Sequence, residues 1–382
     1  MADASSLRAD PIPLAQALMR CASIAPADAG AIGVLEDALK TLGFTCRRMK
    51  FGEIENLYAS RGSGTPHLMF AGHTDVVPVG DVSGWSVDPF GAVIREGALV
   101  GRGAVDMKAA IAAFVAGVEA AAPARGTISL LITGDEEGPA TDGTIKVIEA
   151  LAAEGVKFDH CLIGEPSSDL KFPDMIKNGR RGSLNAVVTV DGVQGHVAYP
   201  EKSLNPVPIL MDLLDVLRTR KLDDGAPGFQ PSNLEITSID VGGGAHNVIN
   251  ARATAKFNIR FNSAHSGAKL LDWIEEERAK IAAQHPRARV AVDARATGEP
   301  FYCAPGPFTD ILQDACEAVT GTRPVLSTHG GTSDGRFIQK YCPVAELGLI
   351  NEMAHKVDEF AMVDDVHKLA AIYAHVISAY FK

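Results

Sequence analysis

The chain lacks the features that mark secreted, membrane-bound and nucleic-acid-binding proteins. Its six cysteines (Cys21, Cys46, Cys161, Cys303, Cys316, Cys342) are scattered, with no Cys-x-x-Cys pair. That argues against a disulfide framework or a thiolate zinc site and suits a reducing cytoplasm. Met1 to Arg20 carries no apolar run of signal-peptide character, because Asp3, Asp10 and two prolines interrupt it. No stretch reaches the ~18 apolar residues of a membrane span. The Ala-rich run from Ala109 to Ala124 comes nearest, but Lys108 and Glu119 bracket or interrupt it, so it reads as a packed helix. Positive charge is also in deficit: 36 Lys and Arg against 47 Asp and Glu leave a net charge of −11. Bulk charge therefore speaks against nucleic acid or anionic membrane as partners. No fixed-period repeat or low-complexity tract is visible.

What is present is an ordinary globular composition, 46% hydrophobic and 22% charged in 382 residues. That length suggests two or three domains, at roughly 100–200 residues each. Strand and helix signals alternate in the first part. Ala31 to Leu42, Met107 to Ala122 and Thr144 to Glu154 read as helices. His67 to Phe70, Thr127 to Thr133 and His160 to Ile163 read as strands. The fold class expected is α/β with a largely parallel sheet. From about Arg181 the pattern changes to strands at Ser183 to Val190 and Ala253 to Phe261, with helices at Pro206 to Arg218 and Ala268 to Ala283. This block reads as an α+β domain inserted into the first. The expected limits are 1–180 with 296–382 for the outer domain and 181–295 for the insert.

Polar residues gather where the strands end, which is where open α/β sheets bind ligands. His73 and Asp75 follow one strand, Asp135-Glu136-Glu137 a second and Glu165 a third. Asp106 precedes a helix and His355 lies in a polar loop. Taken singly, each fits an ordinary turn, cap or solvated side chain. Jointly, two histidines and three carboxylates supply ligands for two metal ions sharing one bridging carboxylate. Mixed imidazole and carboxylate donors suit Zn²⁺, with Co²⁺ or Mn²⁺ as substitutes. Such a centre activates water near neutral pH and polarises a carbonyl, while a further carboxylate moves the proton.

The blocks Gly72-His73-Thr74-Asp75-Val76-Val77-Pro78, Gly101-Arg102-Gly103 with Asp106-Met107-Lys108, Asp135-Glu136-Glu137-Gly138 and Gly164-Glu165-Pro166 resemble the M20 family of di-zinc aminoacylases and peptidases. Further blocks extend the likeness along the whole chain: Lys177 to Ser183, Gly195 to Pro200, Gly330 to Phe337 and His355 to Glu359. The resemblance implies a discontinuous di-zinc aminopeptidase-like catalytic domain with an inserted α+β dimerisation (lid) domain. It implies two Zn²⁺ per subunit, with His73 and Glu165 on one, Glu137 and His355 on the other, and Asp106 bridging. Asp75 would orient His73 and Glu136 would be the general acid/base. His196 would reach the partner subunit's site in a homodimer and stabilise the oxyanion.

A small-molecule N-acyl amino acid rich in carboxylates would meet Arg180, Ser183, Tyr199, Asn247, Arg260 and Thr332. The reading is thus a cytoplasmic, metal-dependent amidohydrolase. Its alternatives are a family member with a different acyl group, or a non-catalytic scaffold; no ligand of the motif set is missing. Two departures from the family pattern, Asn250 in place of proline and Ala109 in place of glycine, remove no ligand.

Overall fold

The computed structural model describes residues 10–123, 125–243 and 245–382. They form two compact units. The first comprises the chain up to Gly179 with Cys303–Ser327 and Ser333–Lys382; the second comprises Arg180–Tyr302 and Thr328–Thr332. The sequence-based limits of 181 and 295 therefore differ from the observed ones. Thr328–Thr332 joins the second unit because the Thr328 hydroxyl donates to the Gly228 carbonyl and the Arg180 guanidinium to that of Gly331 at 3.4 Å, and the later limit moves to Tyr302 because Phe301–Tyr302 pairs with Gly179–Arg180.

The first unit is built on an eight-stranded sheet. Four strands at its centre run parallel: Gly126–Thr133, His67–His73, His160–Ile163 and Val344–Glu346. The sheet is extended at one side by the antiparallel pair Thr45–Phe51 and Ile54–Ser63, and at the other by Met175–Lys177 and Val325–Ser327. The central strands read as continuous apolar runs because they are buried on both faces. Their register places His73 beside Thr133, and Ala71 beside Ile163. The chain therefore leaves three neighbouring strands at one level of the same edge.

The Ala-rich segment is the helix Lys108–Ala121, buried through Val118. It packs on the helix Val363–Tyr380, and rings bind the layers together. Phe70 stacks on Phe114 at 4.1 Å, and Tyr373 meets Phe114 edge-on at 5.6 Å. The small side chains serve this close packing. A Cβ on Gly117 would lie 2.9 Å from the Tyr373 Cβ and 3.0 Å from the Ala374 nitrogen. No helix among the described residues is long and apolar enough to cross a membrane.

The second unit holds a four-stranded antiparallel sheet in the order Asn233–Asp240, Arg252–Phe261, Gly182–Asp191, Arg289–Gly298. Leu184, Ala186, Val188 and Val190 alternate into a core with Ala253, Ala255, Phe257 and Ile259. The helices Pro206–Thr219 and Gly267–Gln284 cover that face. Their starts are set by side-chain caps: Asn205 accepts from the Val207 amide and Ser266 from that of Lys269.

The helix–helix contact yields a direct prediction. Gly117→Val should destabilise the protein by about 1–3 kcal/mol through overpacking. A fall in the denaturant midpoint, with the metal site untouched, is the outcome expected.

Candidate metal centre

His73 is the last residue of its strand and is fully buried. Its Nδ1 lies 2.9 Å from the Asp75 main-chain carbonyl. A carbonyl oxygen only accepts, so Nδ1 carries the proton and Nε2 is the outward-facing donor atom. That nitrogen faces Asp106 Oδ1 at 3.0 Å and Glu165 Oε1 at 3.5 Å. The other oxygen of Asp106, Oδ2, lies 3.4 Å from His355 Nε2. His355 Nε2 in turn lies 2.7 Å from Glu137 Oε1. One carboxylate thus offers an oxygen to each of two imidazoles, and each imidazole has a second carboxylate of its own.

Asp75 acts differently from the simple expectation. Its carboxylate stands 3.7 Å from His73 Nδ1, farther than its own carbonyl. The two carboxylate oxygens accept instead from the Glu136 and Glu137 amides, at 3.2 and 2.9 Å. This pins the acidic loop against the strand that carries His73. Of the three consecutive acids, Asp135 turns inward and accepts from the Thr141 and Asp142 amides. Glu136 and Glu137 are left for the site. The floor beneath them is tight: a Cβ on Gly164 would meet Phe70 at 2.7 Å and Met107 at 2.8 Å. Glycine at that position lets the Glu165 backbone sit directly on the helix.

Among the described residues three groups can hold a cation: His73 with Asp106 and Glu165, Asp106 with Glu137 and His355, and His73 with Glu136 and Glu137. The donor set fits divalent transition metals, because lone pairs of imidazole and carboxylate converge in a buried place. The electrostatics say the same. Burial opposes charge on His73, but Asp106 and Glu165 more than offset it and raise its pKa well above the ordinary value. Hydrogen bonds to Asp106 and Glu137 raise His355 to about 10. Burial, then the charge of Asp106, pushes Glu165 to about 7. Burial, then Glu165, pushes Glu136 well above the carboxylate range, with Asp334 and Glu137 adding to the effect. Protons do here what cations would do: they relieve the repulsion of converging carboxylates. Asp334, which reading the sequence did not single out, is buried beside Arg336 at 3.8 Å. A pocket of about 550 Å³, lined by Ile24, Pro26, Ile54, Val76 and Pro78, opens beside Glu137.

The remaining residues singled out in the sequence lie in the second unit. His196 is exposed on the short strand Gly195–His196, which pairs with Val248–Ile249. Its Nδ1 accepts from the Ala198 amide at 3.0 Å, so Nε2 carries the proton. Tyr199 is 5.6 Å from that ring, and the Asn247 carbonyl accepts from the Val197 amide. Ser183 and Arg260 are directly opposed across the sheet, and Asn258 donates to the Ser183 hydroxyl at 3.2 Å. Arg180 faces Gly331, the neighbour of Thr332. At the departure noted above, the Asn250 amide donates to the Gly242 carbonyl at 3.0 Å.

These shifts set a pH dependence for the metal-free protein. Glu165 has a folded pKa of about 7 against an ordinary 4.5, so its stabilising contribution is complete below 4.5 and lost as pH rises through about 7. For His355 the contribution is complete below 6.5 and lost as pH rises through about 10. The melting temperature in chelator should therefore fall in two stages as pH rises. A divalent transition-metal ion should flatten the slope, because it replaces the lost protons.

Comparisons with known proteins identify the family. The model of Peptidase family M20/M25/M40 matches residues 69–379. A protein from Maricaulis maris named succinyl-diaminopimelate desuccinylase is 57% identical over 383 aligned residues, covering 100% of this chain and 98% of that protein. A Caulobacter vibrioides protein of the same name is 58% identical, covering 98% of this chain and 97% of its own. Among solved structures, an M20 family metallo-carboxypeptidase from Sulfolobus solfataricus superposes with a TM-score of 0.81 at 18% identity, over 98% of this chain and 99% of that one. A dinuclear metal-binding peptidase of the family from Bacillus subtilis does so with 0.71 at 14% identity, over 98% of each chain. With the converging ligand set and a family match over most of its length, the chain belongs to peptidase family M20.

Proposed function

We propose that this chain is a zinc-dependent amidohydrolase that cleaves N-succinyl-LL-2,6-diaminopimelate to succinate and LL-2,6-diaminopimelate, in lysine and diaminopimelate biosynthesis. It works in the cytoplasm as a homodimer with two Zn²⁺ per subunit, and Co²⁺ or Mn²⁺ can substitute. The observation that carries the chemistry is Asp106, whose two oxygens each face a different imidazole. The substrate assignment rests on relatives of that name at 57–58% identity over nearly the whole chain.

His73 and Glu165 would hold one ion and Glu137 and His355 the other, with Asp106 offering an oxygen to each. Bound there, divalent ions would supply Lewis acidity to the amide carbonyl and lower the pKa of the attacking water. Glu136 takes that water's proton on its carboxylate and passes it to the leaving amine. Asp75 holds the Glu136 main chain, so the carboxylate is aimed before substrate arrives. His196 of one subunit donates from Nε2 to the developing oxyanion in the other; the amide on its Nδ1 fixes the tautomer that this needs. Arg180 and Arg260 meet substrate carboxylates, with Ser183, Tyr199, Asn247 and Thr332 supplying polar contacts.

Glu136→Gln should lower kcat by about 10²–10⁴-fold while metal content stays at two ions per chain. Loss of both together would make Glu136 a ligand and sink its assignment as the proton carrier. For substrate class, kcat/KM measured with added Zn²⁺ should favour N-succinyl-diaminopimelate over N-acetylornithine; a preference for acetylornithine would overturn the succinyl assignment.

A further inference from the structure

Two motif residues have no part in the chemistry above, yet they form a fully buried ion pair. Arg102 is 2% exposed and Glu359 0%, and Arg102 Nη1 lies 2.7 Å from Glu359 Oε2. Glu359 Oε1 accepts from the Val105 amide at 2.8 Å and from the Asp106 amide at 3.2 Å. The carboxylate therefore grips the backbone of the bridging residue itself. Arg102 reaches the other way. It donates to the carbonyls of Lys356 at 3.2 Å, His355 at 3.5 Å and Pro78 at 3.3 Å, and its guanidinium lies over the Trp85 ring at 5.3 Å. The backbone adds a bond from the Gly101 amide to the Glu359 carbonyl at 2.8 Å.

The segment so held needs holding. His355 and Asp358 both adopt positive φ, +65° and +54°, which non-glycine residues populate only when surroundings impose it. The His355 side chain is half exposed, so packing alone does not fix it. A buried ion pair is weak evidence of stability, because apolar replacements of similar volume are often neutral or better. The pair touches the main chain of Asp106 at one end and of His355 at the other, and these two donors must keep one spacing for the second ion.

We propose that Arg102 and Glu359 are positioning residues that lock Asp106 and His355 at a fixed separation, so that the Asp106–Glu137–His355 position takes up its ion. The two act through one contact network, so each single substitution and the double one weaken the same uptake step, while only the single ones leave a buried charge unpaired. The position formed by His73, Asp106 and Glu165 shares Asp106 but takes its other two donors from strand ends, so it feels the change less. The proposal rests on the two-metal reading of the site.

The test uses the full-length chain stripped of metal, titrated with Zn²⁺ alone in competition with a chelator, and followed by calorimetry. Wild type is compared with R102K, E359Q and the apolar double variant R102M/E359M. Thermal unfolding of each metal-free protein is recorded alongside. Wild type should show two uptake steps. In every variant one step should stay within about twofold of wild type and the other should weaken about 10–100-fold, the range for residues that orient ligands. R102M/E359M should show this with its metal-free melting point near wild type, which a purely structural role would not produce. Variants that take up both ions as wild type does, or that weaken both steps equally, would overturn the proposal alone. Unfolding of metal-free R102M/E359M would also overturn it, by assigning the pair to folding. A wild-type chain that binds a single ion would overturn the two-metal reading with it.

Discussion

Asp106 has to satisfy two imidazoles at once, and much of the first unit is arranged around that requirement. Its oxygens reach His73 and His355, which sit 282 positions apart in the chain. Carboxylates that converge on such a point repel one another, and the repulsion grows where water is excluded. The site therefore holds either protons or cations, and its raised imidazole and glutamate proton affinities express that need. A rigid floor is required as well, because ligands must be held before an ion arrives. The buried helix Lys108–Ala121 and the parallel strands beneath it provide one.

Around this centre the supporting contacts are mostly to main chain. The Asp75 carbonyl fixes the His73 tautomer while its carboxylate fixes the acidic loop. Asp135 closes that loop from behind through the Thr141 and Asp142 amides. Arg102 and Glu359 join the Asp106 turn to the His355 loop. Orientation thus comes from charged groups gripping peptide groups. These are stiffer partners than side chains, and charge-assisted bonds to them are strong.

Reading the sequence located the buried parallel strands well, because a strand covered on both faces is a plain apolar run. The strand His160–Ile163 has the bounds expected, and the helix Lys108–Ala121 lies within a residue of its expected limits at each end. It did not mark the outer strand Thr45–Phe51, where Arg47, Arg48 and Lys50 break the apolar signal on an exposed edge. Nor did it mark Val363–Tyr380, the helix that covers the Ala-rich one. Four of the five candidate metal-site residues, His73, Asp106, Glu137 and Glu165, stand out because each follows a strand or precedes a helix in a short Gly-containing block; His355 lies in a polar loop without one. Asp334 lies in the block Gly330 to Phe337 but was given no role, because its approach to the acidic loop depends on chain folding from afar.

By itself the sequence determined which donor types exist and that each follows a strand end or flanks a loop. That was enough for the family, because local residue spacing encodes local geometry. Only the tertiary structure decided which oxygen faces which imidazole, which of three adjacent acids turns inward, and that Arg102 finds Glu359 across 257 residues. Those are distances between strands and loops remote in the chain. Sheet register and helix packing set them, and neither is written in any single segment.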